Sequence, residues 1–319
     1  MTVPEYSGIN RGSRQPIGGP AGDASVPLQG MAPPLAPTEF TRALRVTVIG
    51  SGSIGGAVIS ALEKGRVPAA QLVAVLRSDS TPEEFDRAIE AADVVVEATT
   101  VAAAEELIPR VTSVGKDIIV CSCGVFARHS NPRDLLGGTP GTDATEAGNA
   151  ASDAASTAPR MGRVLVPAGA VGGLDVLAAA ARAGIEDASL RHTTIKSPRA
   201  LGVTDDLTER HEVFRGSARE AALKYPRTSN ASVALALATL GLDRVEVVVA
   251  ADPQVTRTRH VVEWHSKLGA YEMSFENSLD PASGGRTSAI TAWSVAELLI
   301  GIRDGVGPGA VVLDRSTHR

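Results

Sequence analysis

Short apolar runs alternate with helical periods through the first half of the chain, a pattern typical of buried parallel strands that alternate with helices. The first run covers residues 46–49, and apolar residues then recur at helical spacing at positions 57, 58, 61 and 62. Further runs stand in the segments QLVAVLRSD, ADVVVEATT, KDIIVCSCG and RVLVPAG. This half therefore predicts an α/β domain with a doubly wound parallel sheet.

Longer alternating runs replace this pattern in the second half, in ASLRHTTIKS, RVEVVVAADP, TRHVVEWHS and AYEMSFEN. In the last of them Tyr271, Met273 and Phe275 alternate with polar residues, which marks a half-buried strand. A helical stretch, SNASVALALATLGL, precedes three of these strands, and a final helical run, TSAITAWSVAELLIGI, follows them. We expect a smaller α+β domain with an open, mainly antiparallel sheet.

A cluster of glycines falls where the first predicted strand meets the first predicted helix. It fits the pattern G-x-G-x-x-G, in which missing side chains let backbone N–H groups and the positive helix end approach a pyrophosphate. The next strand follows at the interval of a βαβ unit, which favours a Rossmann-type dinucleotide-binding half over a tight turn without a ligand. The predicted cofactor contacts are Gly50, Gly52, Ser53, Ile54 and Gly55.

The end of the second predicted strand bears on which dinucleotide binds. A carboxylate there usually holds the ribose hydroxyls of NAD, whereas this chain has Arg77 and Ser78, with Asp79 just beyond. An arginine and a hydroxyl can hold a 2′-phosphate, which indicates NADP use and leaves dual use of NAD or NADP open. The alternative is a solvated Arg77 at a strand end, without a role in binding.

Composition excludes several classes of function. With 319 residues and 43% hydrophobic content the chain can form two modest domains, and its net charge of −5, without a basic run, argues against nucleic-acid binding. No apolar run reaches the length of a membrane span, and the N-terminus lacks a signal-peptide core. Cys121 and Cys123 alone cannot form a zinc site, so we predict buried, reduced thiols, no metal and a cytoplasmic location.

Three histidines, His192, His260 and His265, remain as candidates for chemistry, since the others lie in polar or terminal surroundings. An odd spacing puts His260 and His265 on opposite faces of one strand. His260 follows the polar segment ADPQVTRTR, but the residues alone leave a structural and a catalytic histidine equally open. Metalloprotease, serine-hydrolase and P-loop motifs are absent, which leaves hydride transfer with a nicotinamide as the predicted chemistry.

Several separated blocks of the sequence resemble the L-aspartate dehydrogenase family over roughly residues 45–303. They include VIGSGSIGGAV, CSCGVFA, VPAGAVGGLDVLAAA, PRTSNASVALALATLGLD, ADPQVTRTRHVVEWHSKLGAYEMSFEN and RTSAITAWSVAELL. The resemblance implies a two-domain, usually dimeric, NAD(P)-dependent amino acid dehydrogenase. Such an enzyme interconverts L-aspartate with iminosuccinate or with oxaloacetate plus ammonia.

By position, the resemblance implies that His260 is the catalytic histidine and that Asn230 contacts the cofactor. It also implies a cofactor contact at Val125, where alanine is usual in the family. The family's NPKTS is GGRTS here, so Arg286 stands where lysine is usual, and Thr258 stands where asparagine is often found. These departures bear on substrate preference rather than on the class of reaction.

Groups that could hold the two substrate carboxylates are Lys196, Arg286, Thr287 and the backbone N–H groups at 169–173. Each has a simpler interpretation. Lys196 could be a solvated lysine at a strand end, Thr287 could cap the last helix, and the glycines at 169–173 could serve close helix packing.

The predicted organisation has four parts. A flexible tail at 1–40 precedes a dinucleotide-binding domain at 41–172, which carries a flexible insert at about 130–162. A catalytic, substrate-binding and dimerisation domain follows at 173–285, and a C-terminal helix in 286–319 returns to the first domain. The expected partners are a small dicarboxylate amino or imino acid and a second copy of the chain.

Two other functions compete with this one. One is a Rossmann reductase of the same plan that acts on a different amino or imino acid. The other is a catalytically silent NADP-binding sensor whose insert and tail bind a partner protein.

Overall fold

The computed structural model describes residues 42–136, 161–203, 207–226, 228–280 and 287–305. The predicted tail, most of the predicted insert and Arg286 lie outside the described residues. Two five-stranded sheets within one compact unit organise this part of the chain.

The first sheet is parallel and has the strand order β2-β1-β3-β4-β5. Its strands are β1 (Leu44–Ile49), β2 (Ala70–Leu76), β3 (Val94–Glu97), β4 (Asp117–Val120) and β5 (Val164–Leu165). Its helices are α1 (Ser53–Glu63), α2 (Pro82–Ala91) and α3 (Val101–Ser113). Two 3₁₀ helices that the sequence pattern did not predict, Cys123–Arg128 and Pro132–Leu136, follow β4.

Helices cover both faces of this sheet because its strands are apolar on both sides. Val95 belongs to a core with Ile89 of α2 and Ile108 of α3. Its neighbours Val94 and Val96 belong to a second core that includes α1 and the C-terminal helix. The predicted doubly wound α/β domain is therefore confirmed.

The second sheet has the order β10-β9-β6-β8-β7, and only its β6–β8 pair is parallel. Its strands are β6 (Ser189–Lys196), β7 (His211–Ser217), β8 (Glu246–Ala251), β9 (Thr258–Ser266) and β10 (Gly269–Asn277). The helices of this half are α4 (Leu174–Arg182), α5 (Pro198–Leu201), α6 (Ala218–Lys224) and α7 (Asn230–Ala238). The mainly antiparallel sheet agrees with the prediction.

One face of the second sheet packs on helices and the other carries charges. On the packed side Trp264 is fully buried, together with Leu177 of α4 and Leu235 of α7. On the other side Arg191 pairs with Glu246 across neighbouring strands at 2.5 Å. Opposite charges on adjacent strands are compatible with an open sheet face.

Strand β7 was missing from the predicted pattern. Its two larger apolar residues, Val213 and Phe214, are adjacent rather than alternating, and its pairing with β8 shifts register between Glu212 and Phe214. A strand at the sheet edge with an irregular register carries no clear period of two, so the hydrophobic pattern did not reveal it.

The chain's last described helix, α8 (Ile290–Asp304), packs on α1 of the first half. Its Ala292, Val295 and Leu299 join the core that contains Val58 and Leu62 of α1. The last described helix of the chain therefore packs on the first helix of the first half. In the part of the chain that the structure describes, no helix combines the length and apolar character of a membrane span.

Candidate functional site

The glycine-rich turn between β1 and α1 leaves little room for side chains at two of its three motif glycines. Gly50 has a φ of +97°, and a Cβ there would lie 2.4 Å from the carbonyl oxygen of Ala98. A Cβ on Gly55 would lie 1.9 Å from the carbonyl oxygen of Gly50. Gly52 differs, because a Cβ on it would meet nothing within 4 Å. Gly50 and Gly55 are therefore needed by the turn itself, and Gly52 faces open space.

The start of α1 offers backbone N–H groups to an anion. Gly52 precedes the helix without a capping side chain, and no acidic residue stands in the first turn, which holds Ser53, Ile54 and Gly55. The first N–H groups of a helix have no partner inside the helix and lie at its positive end. The Ser53 hydroxyl donates to the carboxylate of Asp280. The turn thus fits a pyrophosphate, as the sequence predicts.

A cleft of about 420 Å³ lies beside this turn, at the ends of β1 and β2. Its lining includes Gly50, Arg77, Ser78 and Arg110, so the structure brings the predicted 2′-phosphate residues to the glycine-rich turn. Arg110 was not predicted, because its position on α3 gives no signal in the sequence. It adds a second guanidinium to the cleft; this group lies 5.4 Å from the centre of the Phe85 ring and pairs with the Asp86 carboxylate at 2.6 Å.

His260 lies in the second sheet, where β9 is flanked by β6 and β10. Its ring Nδ1 is 3.0 Å from Nε2 of His192, and His192 Nδ1 is 2.8 Å from the hydroxyl oxygen of Ser232 on α7. The Thr194 hydroxyl oxygen lies 3.3 Å from His260 Nδ1. These four buried residues form the histidine cluster. No residue in the described ranges hydrogen-bonds His260 Nε2.

Burial sets the protonation of this cluster. It lowers the pKa of His260 well below the usual value, and the neighbouring His192 and Lys196 lower it further. Burial alone lowers the pKa of His192 to about 4 and that of Lys196 to about 8. Near neutral pH both imidazoles are therefore uncharged, while Lys196 is mostly protonated. His265 lies exposed on the opposite face, as the odd spacing predicts.

Lys196 shares a sheet face with the histidine cluster. It follows His192 and Thr194 on β6 at intervals of two, and only 4% of its surface is exposed. The alternative of a solvated lysine at a strand end is therefore wrong. The tertiary fold buries the strand end against its neighbours, while hydropathy alone places a lysine outside.

Asn230 begins α7, two residues before Ser232. Its side-chain Oδ1 is buried and has no hydrogen-bond partner among the described residues. A buried polar atom without a partner costs free energy unless a ligand or water completes it, so this oxygen fits a ligand that donates a hydrogen bond.

Val125 lies in the 3₁₀ helix Cys123–Arg128, and its side chain is fully buried. This 3₁₀ helix packs on α6 and on α7, the helix that begins at the predicted cofactor residue Asn230. Neither Val125 nor Asn230 lines the cleft beside Gly50, Arg77 and Ser78. The fold therefore brings together the elements that carry Val125 and Asn230.

The segment at 169–173 is held by its neighbours. The Gly169 N–H donates to the Ser294 hydroxyl at 3.1 Å, and Asn277 Nδ2 donates to the Ala170 carbonyl at 2.8 Å. A Cβ on Gly173 would lie 2.3 Å from the sulfur of Met273. A backbone φ of +76° and close packing against β10, rather than helix packing, therefore explain Gly173.

Thr287 does not cap the last helix. It is half-buried, its carbonyl oxygen accepts a hydrogen bond of 2.8 Å from the Asp280 N–H, and the N-cap of α8 is Ala289. The capping interpretation is therefore wrong. The described residues contain no group of three His, Cys, Asp or Glu side chains that could hold a metal ion.

Comparison with known proteins gives matches to both halves. Residues 175–302 match the family model described as aspartate dehydrogenase, C-terminal, and residues 50–137 match the homoserine dehydrogenase NAD binding domain. The L-aspartate dehydrogenase of Methanopyrus kandleri is 32% identical over 284 residues, which cover 83% of this chain and 98% of that protein. The chain belongs to the L-aspartate dehydrogenase family.

Other members of the L-aspartate dehydrogenase family also match most of the chain. The Bradyrhizobium diazoefficiens protein is 33% identical over 278 residues, which cover 80% of this chain and 90% of its own. The crystal structure of aspartate dehydrogenase from Thermotoga maritima has the same fold, with a TM-score of 0.59 at 24% identity over 86% of this chain and all of that one. The predicted family, fold and class, an NAD(P)-dependent amino acid dehydrogenase, are confirmed.

Proposed function

We propose that this enzyme interconverts L-aspartate with iminosuccinate, or with oxaloacetate plus ammonia, and that His260 is its acid and base. The observation that carries the proposal is the position of His260. A buried, neutral imidazole with an open Nε2 lies on one sheet face with Lys196, a cation suited to a substrate carboxylate.

NAD or NADP is the proposed cofactor. Gly50, Gly52, Ser53, Ile54 and Gly55 would hold the pyrophosphate, while Arg77 and Ser78 would hold a 2′-phosphate at the adjoining cleft. Asn230 Oδ1 would accept a hydrogen bond from the nicotinamide carboxamide. When bound, the nicotinamide ring accepts a hydride from the substrate α-carbon or returns it. Val125, whose side chain is fully buried, would contact the cofactor through its backbone.

His260 would manage the protons of the reaction. In aspartate oxidation its uncharged Nε2 takes a proton from the substrate amine, or from the water that attacks the imine carbon. In the reverse direction the same nitrogen returns that proton. Burial keeps the imidazole free of bulk water, and Lys196 disfavours a lasting positive charge on it.

Lys196, Arg286 and Thr287 are the proposed partners of the two substrate carboxylates. The Lys196 ammonium is already buried before substrate binds, and a substrate carboxylate beside it would favour its protonated form. The planar guanidinium of Arg286 can hold a carboxylate through two parallel hydrogen bonds. The predicted domain boundaries, homodimer and cytoplasmic location remain proposals that rest on the sequence.

The decisive experiment follows nicotinamide absorbance while purified protein meets oxaloacetate with ammonium, with NADH and NADPH in separate assays. We expect oxidation that requires ammonium and disappears in His260→Ala. Faster turnover with another 2-oxo acid would favour a reductase of different specificity. Tight NADPH binding without turnover of any 2-oxo acid would favour a sensor.

A further inference from the structure

His192 is a buried titratable group that the proposed reaction does not use, and it lies directly behind His260. The ring centroids are 5.2 Å apart with an angle of 20° between their planes, so the two rings lie edge to edge and nearly coplanar. Their facing nitrogens, His192 Nε2 and His260 Nδ1, are 3.0 Å apart, which is a hydrogen-bond distance. Ser232 closes the other end, with its hydroxyl oxygen 2.8 Å from His192 Nδ1.

Two proton arrangements satisfy this chain when both rings are neutral, because each ring then carries one N–H. In the first, His260 Nδ1–H donates to His192 Nε2, and His192 Nδ1–H donates to Ser232. The lone pair of His260 Nε2 is then open. In the second, every bond is reversed, so the Ser232 hydroxyl donates to His192, His192 Nε2–H donates to His260 Nδ1, and His260 Nε2 carries the proton.

The second arrangement cannot persist when His260 gains a proton. A protonated imidazole carries N–H on both nitrogens, so Nδ1 must donate, and His192 Nε2 must accept. In the first arrangement this bond keeps its direction in both protonation states of His260. In the second, all bonds of the chain would have to reverse whenever His260 took up a proton.

Charges around the pair also favour His192 as an uncharged acceptor. The described groups placed against His260 are His192, Thr194 and Lys196 of β6 and Phe275 of β10, and Ser232 of α7 contacts the far side of His192; none of these is an anion. No carboxylate in the described ranges hydrogen-bonds either ring. Burial lowers the pKa of His192 to about 4, so His192 keeps an uncharged nitrogen available at neutral pH.

We propose that His192 is a positioning residue, which accepts a hydrogen bond from Nδ1–H of His260 and thereby presents His260 Nε2 to the substrate as a base. Ser232 sets the orientation of His192 by accepting from its Nδ1–H. A buried carboxylate performs the same task in many hydrolases, whereas here a neutral imidazole performs it. This inference rests on the proposed function and identifies how its acid–base residue is oriented.

The first test measures the tautomer without substrate, by nitrogen NMR of protein with ¹⁵N-labelled histidine at pH 7.5. Protonated and unprotonated ring nitrogens give well-separated signals, and His260→Ala identifies those of His260. We expect the proton of His260 on Nδ1 in the wild type and a loss of that preference in His192→Phe. A wild-type His260 with its proton on Nε2 would overturn the proposal.

The second test separates orientation from packing by kinetics. His192→Phe keeps an aromatic ring but removes the acceptor, and we expect kcat to fall about 100-fold while the KM for the nicotinamide cofactor stays constant. His192→Gln places an amide oxygen near the former Nε2 and should retain kcat to within about tenfold. The control is His265→Phe on the exposed face of β9, the strand that carries His260, and for this variant we expect wild-type kcat.

A kcat of His192→Phe within threefold of the wild type, or equal losses in the phenylalanine and glutamine variants, contradicts the proposal. If His192→Phe does not fold, the tautomer of His260 in the wild type and the kcat of His192→Gln test the proposal. A wild-type protein without turnover of aspartate or oxaloacetate would refute the proposed function. The NMR experiment would still test the orientation of His260 in that case, since it needs no substrate.

Discussion

The glycine-rich turn depends on the absence of side chains, whereas the histidine cluster consists of buried side chains. At the turn, a Cβ on Gly50 or Gly55 would overlap backbone atoms, and Gly52 leaves open the approach to the start of α1. In the cluster, Ser232, His192 and His260 satisfy one another away from solvent. The proposed pyrophosphate site would thus use backbone groups that any sequence has, whereas the proposed proton transfer would use specific side chains.

This difference also determines how each region fails. An added methyl group damages the turn, because it fills space that the backbone or a ligand needs. A removed ring damages the cluster, because the remaining polar atoms stay buried without partners. Substitutions that add atoms in one region and remove them in the other therefore separate cofactor binding from proton transfer.

The largest expected effect is on His260. His260→Ala removes the proposed acid and base, so kcat should fall about 1,000-fold. The affinity for NADPH, measured by the fluorescence of the bound cofactor, should stay near the wild-type value, because the glycine-rich turn is untouched. His265→Ala on the opposite face is the matched control. Full turnover in His260→Ala would remove the histidine cluster from the mechanism.

Acid should destabilise the fold through the same cluster. The folded-state pKa of His192 is about 4 while that of an unfolded histidine is about 6.5, so between these values the unfolded chain binds more protons. The free energy of unfolding should therefore fall as pH falls through this window, by up to about 3 kcal/mol, and then level off. His260 contributes in the same direction.

Urea unfolding at several pH values measures this effect. His192→Gln should reduce the dependence between pH 6.5 and 4 to the part that His260 contributes, and the exposed His265→Gln should leave it as in the wild type. A slope that is unchanged in His192→Gln would show that other groups cause the acid sensitivity.

The glycines of the turn should respond unequally. In Gly52→Ala the new Cβ meets no protein atom, so stability should change little while NADPH affinity falls about 30-fold, because the methyl group lies before the helix start. Gly55→Ala should lose stability as well, since its Cβ would overlap the Gly50 carbonyl. Thermal unfolding and NADPH titration measure both. Wild-type affinity in Gly52→Ala would contradict the pyrophosphate site.

A smaller effect concerns the choice of cofactor. Arg77→Ala should weaken NADPH binding about tenfold and NADH binding far less, because only NADPH carries the 2′-phosphate that a guanidinium can hold. Titration of both cofactors measures the ratio, and Arg87→Ala, at an exposed arginine of α2 that does not line the cleft, is the control. Equal losses for NADPH and NADH would exclude the proposed role of Arg77.

The smallest expected effect is the pH dependence of substrate binding. Because the pKa of Lys196 is about 8, its ammonium loses its proton as pH rises through that value. The KM for oxaloacetate should therefore rise about fivefold between pH 7 and 9, because the buried lysine loses the charge that would hold a substrate carboxylate. Lys196→Arg should remove this dependence, since arginine stays charged. A KM that is constant with pH in the wild type would argue against Lys196 as the carboxylate partner.

Prediction from sequence worked best where one short segment carries the whole signal. The glycine-rich turn lies within six residues, and the alternation of Tyr271, Met273 and Phe275 with polar residues places β10 correctly. It worked less well where an element has no period, as in β7. The sequence did not indicate Arg110 of the cleft or Ser232 of the histidine cluster, since the position of each depends on neighbours that are distant in sequence.

The sequence by itself determined the α/β class, the strand-to-helix turn with its glycines and the opposite faces of His260 and His265. Spacing is sufficient there, because strand and helix periods are local properties of the backbone. Only the tertiary structure decided that His192, Ser232 and His260 share one hydrogen-bonded chain, and that the side chains of Lys196 and Val125 are buried. Burial and partnership depend on which distant segments pack together, and a hydropathy pattern does not contain that information.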